Sequence, residues 1–169
     1  QALAPDRTVV VTGHDAEAVD ASARAYDPDA TCVLQEKQLG TGHAVAQARP
    51  ALDGFSGDAI VLYGDTPFIS EETLAAMQAA RQTHDVVVLG FEPADPGRYG
   101  RLVTEGTSLL RIVEWKDATD EERAITLCNS GVIAADSATL FDLLDHVGND
   151  NASGEYYLTD VVGLARDRR

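Results

Sequence analysis

Positive charge is what this sequence has least of. Thirteen lysines and arginines stand against 28 aspartates and glutamates, a formal net charge of −15 at pH 7. So lopsided a surface repels polyphosphate backbones and anionic membranes, which argues against nucleic acid or a lipid surface as partner. Long apolar runs are missing as well. None approaches the roughly 20 residues that a bilayer-crossing helix needs, so a soluble protein is expected. Methionine is confined to Met77 while the chain opens on Gln1, and the natural start is expected to lie upstream. Cysteine is limited to Cys32 and Cys128, each inside an apolar run. Buried thiols of a reducing compartment are expected, and nothing visible reads as a secretory leader. The cysteines and histidines lack zinc spacing, and there is no G-x-S-x-G elbow, no G-x-G-x-x-G fingerprint and no P-loop.

What is present suits one globular domain: 169 residues, 44% of them hydrophobic and 24% charged, enough to build a single core. Thr8-Val9-Val10-Val11-Thr12 is β-branched throughout and suits a strand buried on both faces of a parallel sheet. A helix is expected over 14–26, stopped by Pro28, then a strand over 31–34, a helix over 44–51 and the most apolar strand over 59–63. Ser70 reads as the N-cap of the next helix, with Glu71 and Glu72 in its first turn. A strand at 86–89 completes three strand-to-helix alternations, the pattern of a three-layer α/β sandwich. Beyond it, strands at 101–104 and 109–114 flank the Glu105-Gly106 turn as a hairpin. An apolar run at 131–135 leads into a helix over 136–146 with Asp136 as candidate cap, and a last helix covers 157–166. No repeat, linker or low-complexity tract interrupts the chain.

Several segments could carry chemistry. The loop Gln35-Glu36-Lys37-Gln38-Leu39-Gly40-Thr41-Gly42-His43 follows a strand and precedes a helix, where open α/β sheets bind ligands. Its glycines allow close approach of backbone, and the helix start offers free N–H groups; the plain alternative is a turn with a helix cap. Tyr63-Gly64-Asp65-Thr66-Pro67 ends the most apolar strand and presents Asp65 at the carboxyl end of the sheet. A carboxylate there with no basic neighbour in sequence suits Mg²⁺, although it could simply cap the turn before Pro67. Arg98-Tyr99-Gly100-Arg101 reads as a turn, Glu114 and Trp115 as a strand end, and Asn129 as a turn-supporting amide. Glu155-Tyr156-Tyr157-Leu158-Thr159-Asp160 concentrates acids, phenols and a hydroxyl, or merely decorates a helix start. Asp120-Glu121-Glu122 is read as a solvated helix face.

In order, these motifs are specific. Gln-x-x-Gln-Leu-Gly-Thr-Gly-His-Ala at 35–44, Leu-Tyr-Gly-Asp-x-Pro at 62–67 and Tyr-Gly-Arg at 99–101 are followed by three more. These are Ile-Val-Glu-x-Lys-Asp-Ala at 112–118, Asn-Ser-Gly at 129–131 and Gly-Glu-Tyr-Tyr-Leu-Thr-Asp at 154–160. The set resembles, over nearly the whole chain, the uridyltransferase domain of the bacterial bifunctional N-acetylglucosamine-1-phosphate uridyltransferase/glucosamine-1-phosphate acetyltransferase family.

The resemblance implies a Rossmann-like nucleotidyltransferase sandwich with a mixed sheet. It implies Mg²⁺-dependent formation of UDP-N-acetylglucosamine and pyrophosphate from UTP and N-acetylglucosamine 1-phosphate, in cytoplasmic cell-wall precursor synthesis. By the same token, Gln35, Gly40 and Thr41 contact the uracil, while Tyr63 and Gly64 line nucleotide and sugar. Asp65 binds Mg²⁺ at the reacting centre. Gly100, Glu114 and Asn129 hold the N-acetylglucosamine, with Tyr157 and Thr159 beside it.

Relative to the family, residues 1–169 are expected to be a partial uridyltransferase domain. The glycine-rich phosphate loop with its arginine and lysine has no counterpart, so an N-terminal strand-loop-helix is expected to be missing. A second, metal-binding asparagine is absent, as is the left-handed β-helix that transfers acetyl groups and builds a homotrimer. The chain by itself is therefore expected to turn over negligibly. Ser130, where threonine is commoner, and Trp115 beside Glu114 are tolerable departures. Two other readings stay open: a related nucleotidyltransferase for another sugar phosphate or base, and a non-catalytic sugar-nucleotide-binding module.

Overall fold

The structure is a computed structural model that describes residues 4–66 and 68–168. Its organising element is β7 (Cys128–Asp136), nine residues long and almost wholly buried. The β-branched and small side chains of this strand alternate between two apolar faces. Ile133 and Ala135 join a core cluster with Leu140, Leu143 and Leu144, whereas Val132 and Ala134 pack with Met77 on the opposite side. That period of two, with helices on both faces, makes the three-layer α/β arrangement.

β3 (Asp58–Val61) lies against one edge of β7, with Ile60 opposite Ala134, and β4 (Val86–Phe91) lies against the other, with Val87 opposite Ala134. Both pairings are antiparallel. β3 and β4 therefore run in the same direction, joined through α3 (Glu71–Arg81), but β7 occupies the slot between them. The fold thus combines parallel and antiparallel strands, as the family resemblance implies. A crossover helix makes two strands run the same way without making them adjacent.

The hairpin β5 (Arg101–Glu105) and β6 (Ser108–Val113) turns through Gly106 at φ 58° and joins the sheet where Arg101 meets Cys128. β1 (Val9–Thr12) and β2 (Thr31–Leu34) form a separate two-stranded parallel sheet, with Val9 and Val11 turned toward the main core. The double-sided burial expected of the first strand is only half realised, since three of its four residues are partly exposed.

Helix ends follow local chemistry. Ser70 accepts from Thr73 N at 3.1 Å and Asp136 from Thr139 N at 2.9 Å, as N-caps should. α1 (Ala16–Tyr26) starts later than expected because Asp15, at φ 51°, takes the left-handed conformation just before it. The helix expected over 44–51 divides at Ala48 into α2 (Thr41–Gln47) and a 3₁₀ turn, Arg49–Leu52, where Pro50 has no N–H for α-helical bonding. α4 (Asp120–Arg123) is stabilised by a capping box between Thr119 and Glu122, and Glu122 also pairs with Arg111. The acidic run is thus more than a solvated face. α5 (Ser137–Leu144) buries its apolar side in the main cluster, and α6 (Asp160–Asp167) begins after Thr159, three residues beyond the expected Tyr157. Asn129 and Ser130 fall inside β7 rather than ahead of it. Cys128 is fully buried but Cys32 only partly, and both are free thiols. No helix of the described residues is long and apolar enough to cross a membrane.

Candidate functional site

The loop after β2 is built by backbone complementarity with a segment more than a hundred residues away. Gln35 N donates to Thr12 O at 2.7 Å, continuing the β1–β2 pairing into the loop. Gly40 then adopts φ 110°, and a Cβ there would lie 2.6 Å from Tyr156 O, so only glycine fits. Tyr156 N donates to Leu39 O, and Gly42 N to Tyr156 O, each at 2.8 Å. Thr41 Oγ1 accepts from Leu158 N at 2.9 Å. The motif at 35–44 and the motif at 154–160 are therefore one structural unit.

Gln35 is 8% exposed. Its side-chain Nε2 lies 3.1 Å from Gly40 O and 2.9 Å from His43 Nδ1. Thr41 is exposed at the first turn of α2.

From this unit the site extends to the sheet. Tyr63 follows β3, which ends at Val61, two residues before the expected boundary. Its ring lies against Gly131: a Cβ on Gly131, at φ 86°, would stand 2.6 Å from Tyr63 Cε2. Burial pushes the Tyr63 phenol upward; the Thr41 side chain, within hydrogen-bonding reach, opposes that shift, and the charges of Glu114 and Asp65 add to it.

Gly64 and Asp65 occupy an exposed turn. A Cβ on Gly64 would meet nothing within 4 Å, so no close approach within the protein requires glycine there. Asp65 makes no hydrogen bond or ion pair among the described residues, which contain no group of three or more His, Cys, Asp or Glu side chains arranged to hold a metal. Asp65 is thus a single free carboxylate beside the loop, not one member of a preformed cage.

Around Glu114, the expected sugar residues converge. Thr159, 3% exposed, donates its hydroxyl to Glu114 Oε1 at 3.0 Å. Gly100 is buried against the same carboxylate, with Glu114 Oε2 3.4 Å from where its Cβ would stand. Asn129 N donates to Gly100 O at 2.9 Å, and Asn129 Oδ1 accepts from Gly131 N at 3.1 Å. Asn129 supports the backbone, as an asparagine at a turn would. That bond occupies its amide oxygen and leaves the NH₂ without a protein partner among the described residues. Burial holds the Glu114 carboxyl above the usual range; Thr159 opposes this, and Asp160 and Asp117 reinforce it. Burial likewise raises Asp160, with Asp117 adding. Tyr157 is raised mainly by desolvation, with Ser153 opposing and Asp117, Glu114 and Glu155 contributing.

Two residues to which local pattern assigns no role support this cluster. His43 contacts Gln35 as described. Arg101, 1% exposed, directs its guanidinium at the carbonyls of Pro96, Gly97, Tyr99 and Arg123 and lies 3.7 Å from Cys128 Sγ. Its face lies 5.0 Å from the Trp115 ring, and Arg123 lies 4.9 Å from the same ring. Nothing local distinguishes Arg101 from a solvated arginine in a turn; His43 at least sits inside the loop motif.

Parallel and antiparallel strands with helices on both faces, and a cluster of loop residues where strands give way to helices, define a protein of the three-layer α/β class, in which such loops are where ligands bind. The solved structures agree on the fold. A UDP-glucose pyrophosphorylase complexed with UDP-glucose superposes at TM-score 0.74 and 19% identity, over 95% of this chain and 69% of that one. A putative glucose-1-phosphate thymidylyltransferase from Bacillus anthracis does so at 0.70 and 18%, over 95% and 63%.

Residues 1–132 match the MobA-like NTP transferase domain, and the chain belongs to that family: it is a nucleotidyltransferase domain. Proteins named Bifunctional protein GlmU are similar in sequence. Those of Ruegeria sp. (strain TM1040) and Cereibacter sphaeroides (strain ATCC 17025 / ATH 2.4.3) are each 66% identical, across 98% of this chain. The chain spans 37% of the length of either relative.

Proposed function

We propose that the chain is the nucleotide- and sugar-binding part of an enzyme that transfers UMP from UTP to N-acetylglucosamine 1-phosphate, releasing pyrophosphate. One observation carries the reading: the loop at 35–41, Tyr63, and the Gly100–Glu114–Asn129–Thr159 group form one connected cluster. Thr41 bonds the 156–158 segment, Thr159 bonds Glu114, and Glu114 abuts Gly100, whose carbonyl Asn129 holds. The similarity to proteins named Bifunctional protein GlmU supports sugar-phosphate uridyltransfer, and the motif resemblance implies these particular substrates.

In this reading Gln35, Gly40 and Thr41 hold the base, and Tyr63 and Gly64 line the path from nucleotide to sugar. Glu114 accepts from sugar hydroxyls, the free NH₂ of Asn129 donates to the acetamido group, and Gly100 permits close approach. Tyr157 and Thr159 flank the sugar. A phosphate oxygen of the sugar phosphate attacks the α-phosphorus in line; the new P–O bond forms as the bond to pyrophosphate breaks, and the electron pair leaves with pyrophosphate. Positioning is the protein's main contribution to such a transfer. Asp65 suits Mg²⁺, which accepts one or two carboxylates together with phosphate oxygens and water. When bound, the ion offsets the negative charge that accumulates on the phosphates. The same reading carries with it a cytoplasmic, homotrimeric parent that also acetylates glucosamine 1-phosphate.

The test is pyrophosphate release by the full-length enzyme from UTP, dTTP and CTP, with N-acetylglucosamine 1-phosphate or glucose 1-phosphate as acceptor. Preference for UTP with the acetamido sugar, and a loss of about a hundredfold or more in Asp65→Asn, is the expected result. Preference for glucose 1-phosphate would transfer the assignment to a related nucleotidyltransferase. Binding without turnover would make it a sugar-nucleotide-binding module.

A further inference from the structure

We propose that His43 is a specificity-determining residue: by accepting a hydrogen bond at Nδ1 it holds the Gln35 amide so that only its carbonyl oxygen faces a ligand. The site then selects a pyrimidine presenting a ring N–H, as uracil does, and rejects one presenting a bare ring nitrogen, as cytosine does. The inference rests on the reading of the 35–41 loop as the base site.

Gln35 Nε2 has two neighbours, Gly40 O at 3.1 Å and His43 Nδ1 at 2.9 Å. Gly40 O can only accept, so the NH₂ end of the amide must face it; an oxygen there would set two acceptors against each other. One amide hydrogen goes to Gly40 O. The second points to His43 Nδ1, which must be unprotonated to receive it, placing the ring proton on Nε2. Both donors of the amide are thereby used. Oε1 has no partner among the described residues, although Gln35 is 8% exposed. A nearly buried amide whose nitrogen is saturated and whose oxygen is free is a preset acceptor.

The second ring nitrogen raises the only competing arrangement. Gln47 Nε2 lies 3.3 Å from His43 Nε2 and 3.1 Å from His43 O. The opposite tautomer would accept from Gln47 but would turn Nδ1–H against the Gln35 NH₂ at 2.9 Å. Turning its amide oxygen toward Nε2–H takes the Gln47 NH₂ from His43 O, a loss that water can replace because Gln47 is half-buried at the end of α2. Gln35, held by Gly40 O and nearly buried, cannot make the matching change. The shorter contact and the less mobile partner both favour Nδ1 as acceptor.

Without that acceptor one amide hydrogen of Gln35 is released, and the side chain can turn to donate. Discrimination against a base with an acceptor at its ring nitrogen should then fall. Buried polar groups left unpaired by the wrong ligand are what make such sites selective.

The experiment compares kcat/KM for UTP and CTP in the full-length enzyme and in His43→Phe, which fills the ring's volume without an acceptor. The UTP-to-CTP ratio should fall by about fivefold to tenfold, the worth of one neutral hydrogen bond. His43→Gln, which can offer an amide oxygen, should restore part of it. A ratio within twofold of the unmodified enzyme in folded His43→Phe overturns the proposal. The tautomer supplies a readout independent of catalysis and of variant folding. Nitrogen-15 NMR of the unmodified enzyme should show His43 protonated at Nε2 and accepting at Nδ1; the reverse overturns the proposal. If the unmodified enzyme releases pyrophosphate from no nucleotide, the functional reading fails, while the ring tautomer still decides this one.

Discussion

Replacing Arg101 with methionine keeps the length of the stem and removes the guanidinium, and the structure allows the consequence to be worked through. Arg101 is 1% exposed and has no carboxylate partner among the described residues; its charge is met by the carbonyls of Pro96, Gly97, Tyr99 and Arg123 and by the face of Trp115. Gly97 and Tyr99 lie in an exposed turn and can recover water when the guanidinium goes, so only part of the set is left unpaired. With about two acceptors orphaned at 1–3 kcal/mol each, and roughly 0.5–1 kcal/mol of cation–π attraction removed, the cost is about 2.5–7 kcal/mol. Against a typical total of 5–15 kcal/mol, that is a large share of the fold's stability. Arg101→Lys keeps the charge but not the fork of donors, and should recover less than half of the loss. Urea denaturation measures it directly, because Trp115 is the chain's only tryptophan and its ring contacts the Arg101 guanidinium. An Arg101→Met midpoint equivalent to less than 1 kcal/mol of destabilisation would refute the reasoning. It would mean that the carbonyls do not depend on this side chain.

Two further outcomes follow from the site. The carboxyls of Glu114 and Asp160 are both held above their ordinary values, chiefly by burial. Their contribution to stability is therefore fully present below the unfolded pKa and is lost as pH rises through the folded value. Melting temperature should fall as pH climbs from about 4.5 toward neutrality, and Glu114→Gln should flatten that slope; an unchanged slope would exclude Glu114 as its source. Gly40→Ala should cost about 3 kcal/mol and raise the KM for nucleotide, since a Cβ would meet Tyr156 O at 2.6 Å from a backbone at φ 110°. Thermal melting and nucleotide titration check this, and an alanine variant melting with the parent would show that the 39–42 and 156–158 segments are not locked together.

Much of the local structure was legible in the residues, because the physics that makes it is local. Ser70 and Asp136 cap their helices through side-chain oxygens three residues from the N–H they satisfy. Gly106 turns its hairpin because it alone there takes a positive φ freely. The expected contacts of Glu114, Gly100, Asn129 and Thr159 lie together, since the motifs that carry them mark strand ends and helix starts. Local pattern was less informative where one residue type serves two ends: Asn129 supports Gly131 with its oxygen while its nitrogen has no partner among the described residues, and sequence alone cannot divide an amide that way.

By itself, then, the sequence determined the alternation of strands and helices, the caps and the turns. Tertiary structure alone decided that β7 lies between β3 and β4, that Thr41 holds Leu158 and that Arg101 is buried. The physical reason is that a strand's pattern of alternation reports which face is buried, and not which distant strand lies beside it. The pairing of Ile60 with Ala134, or of Thr41 with Leu158, is chosen by packing of the whole chain against itself.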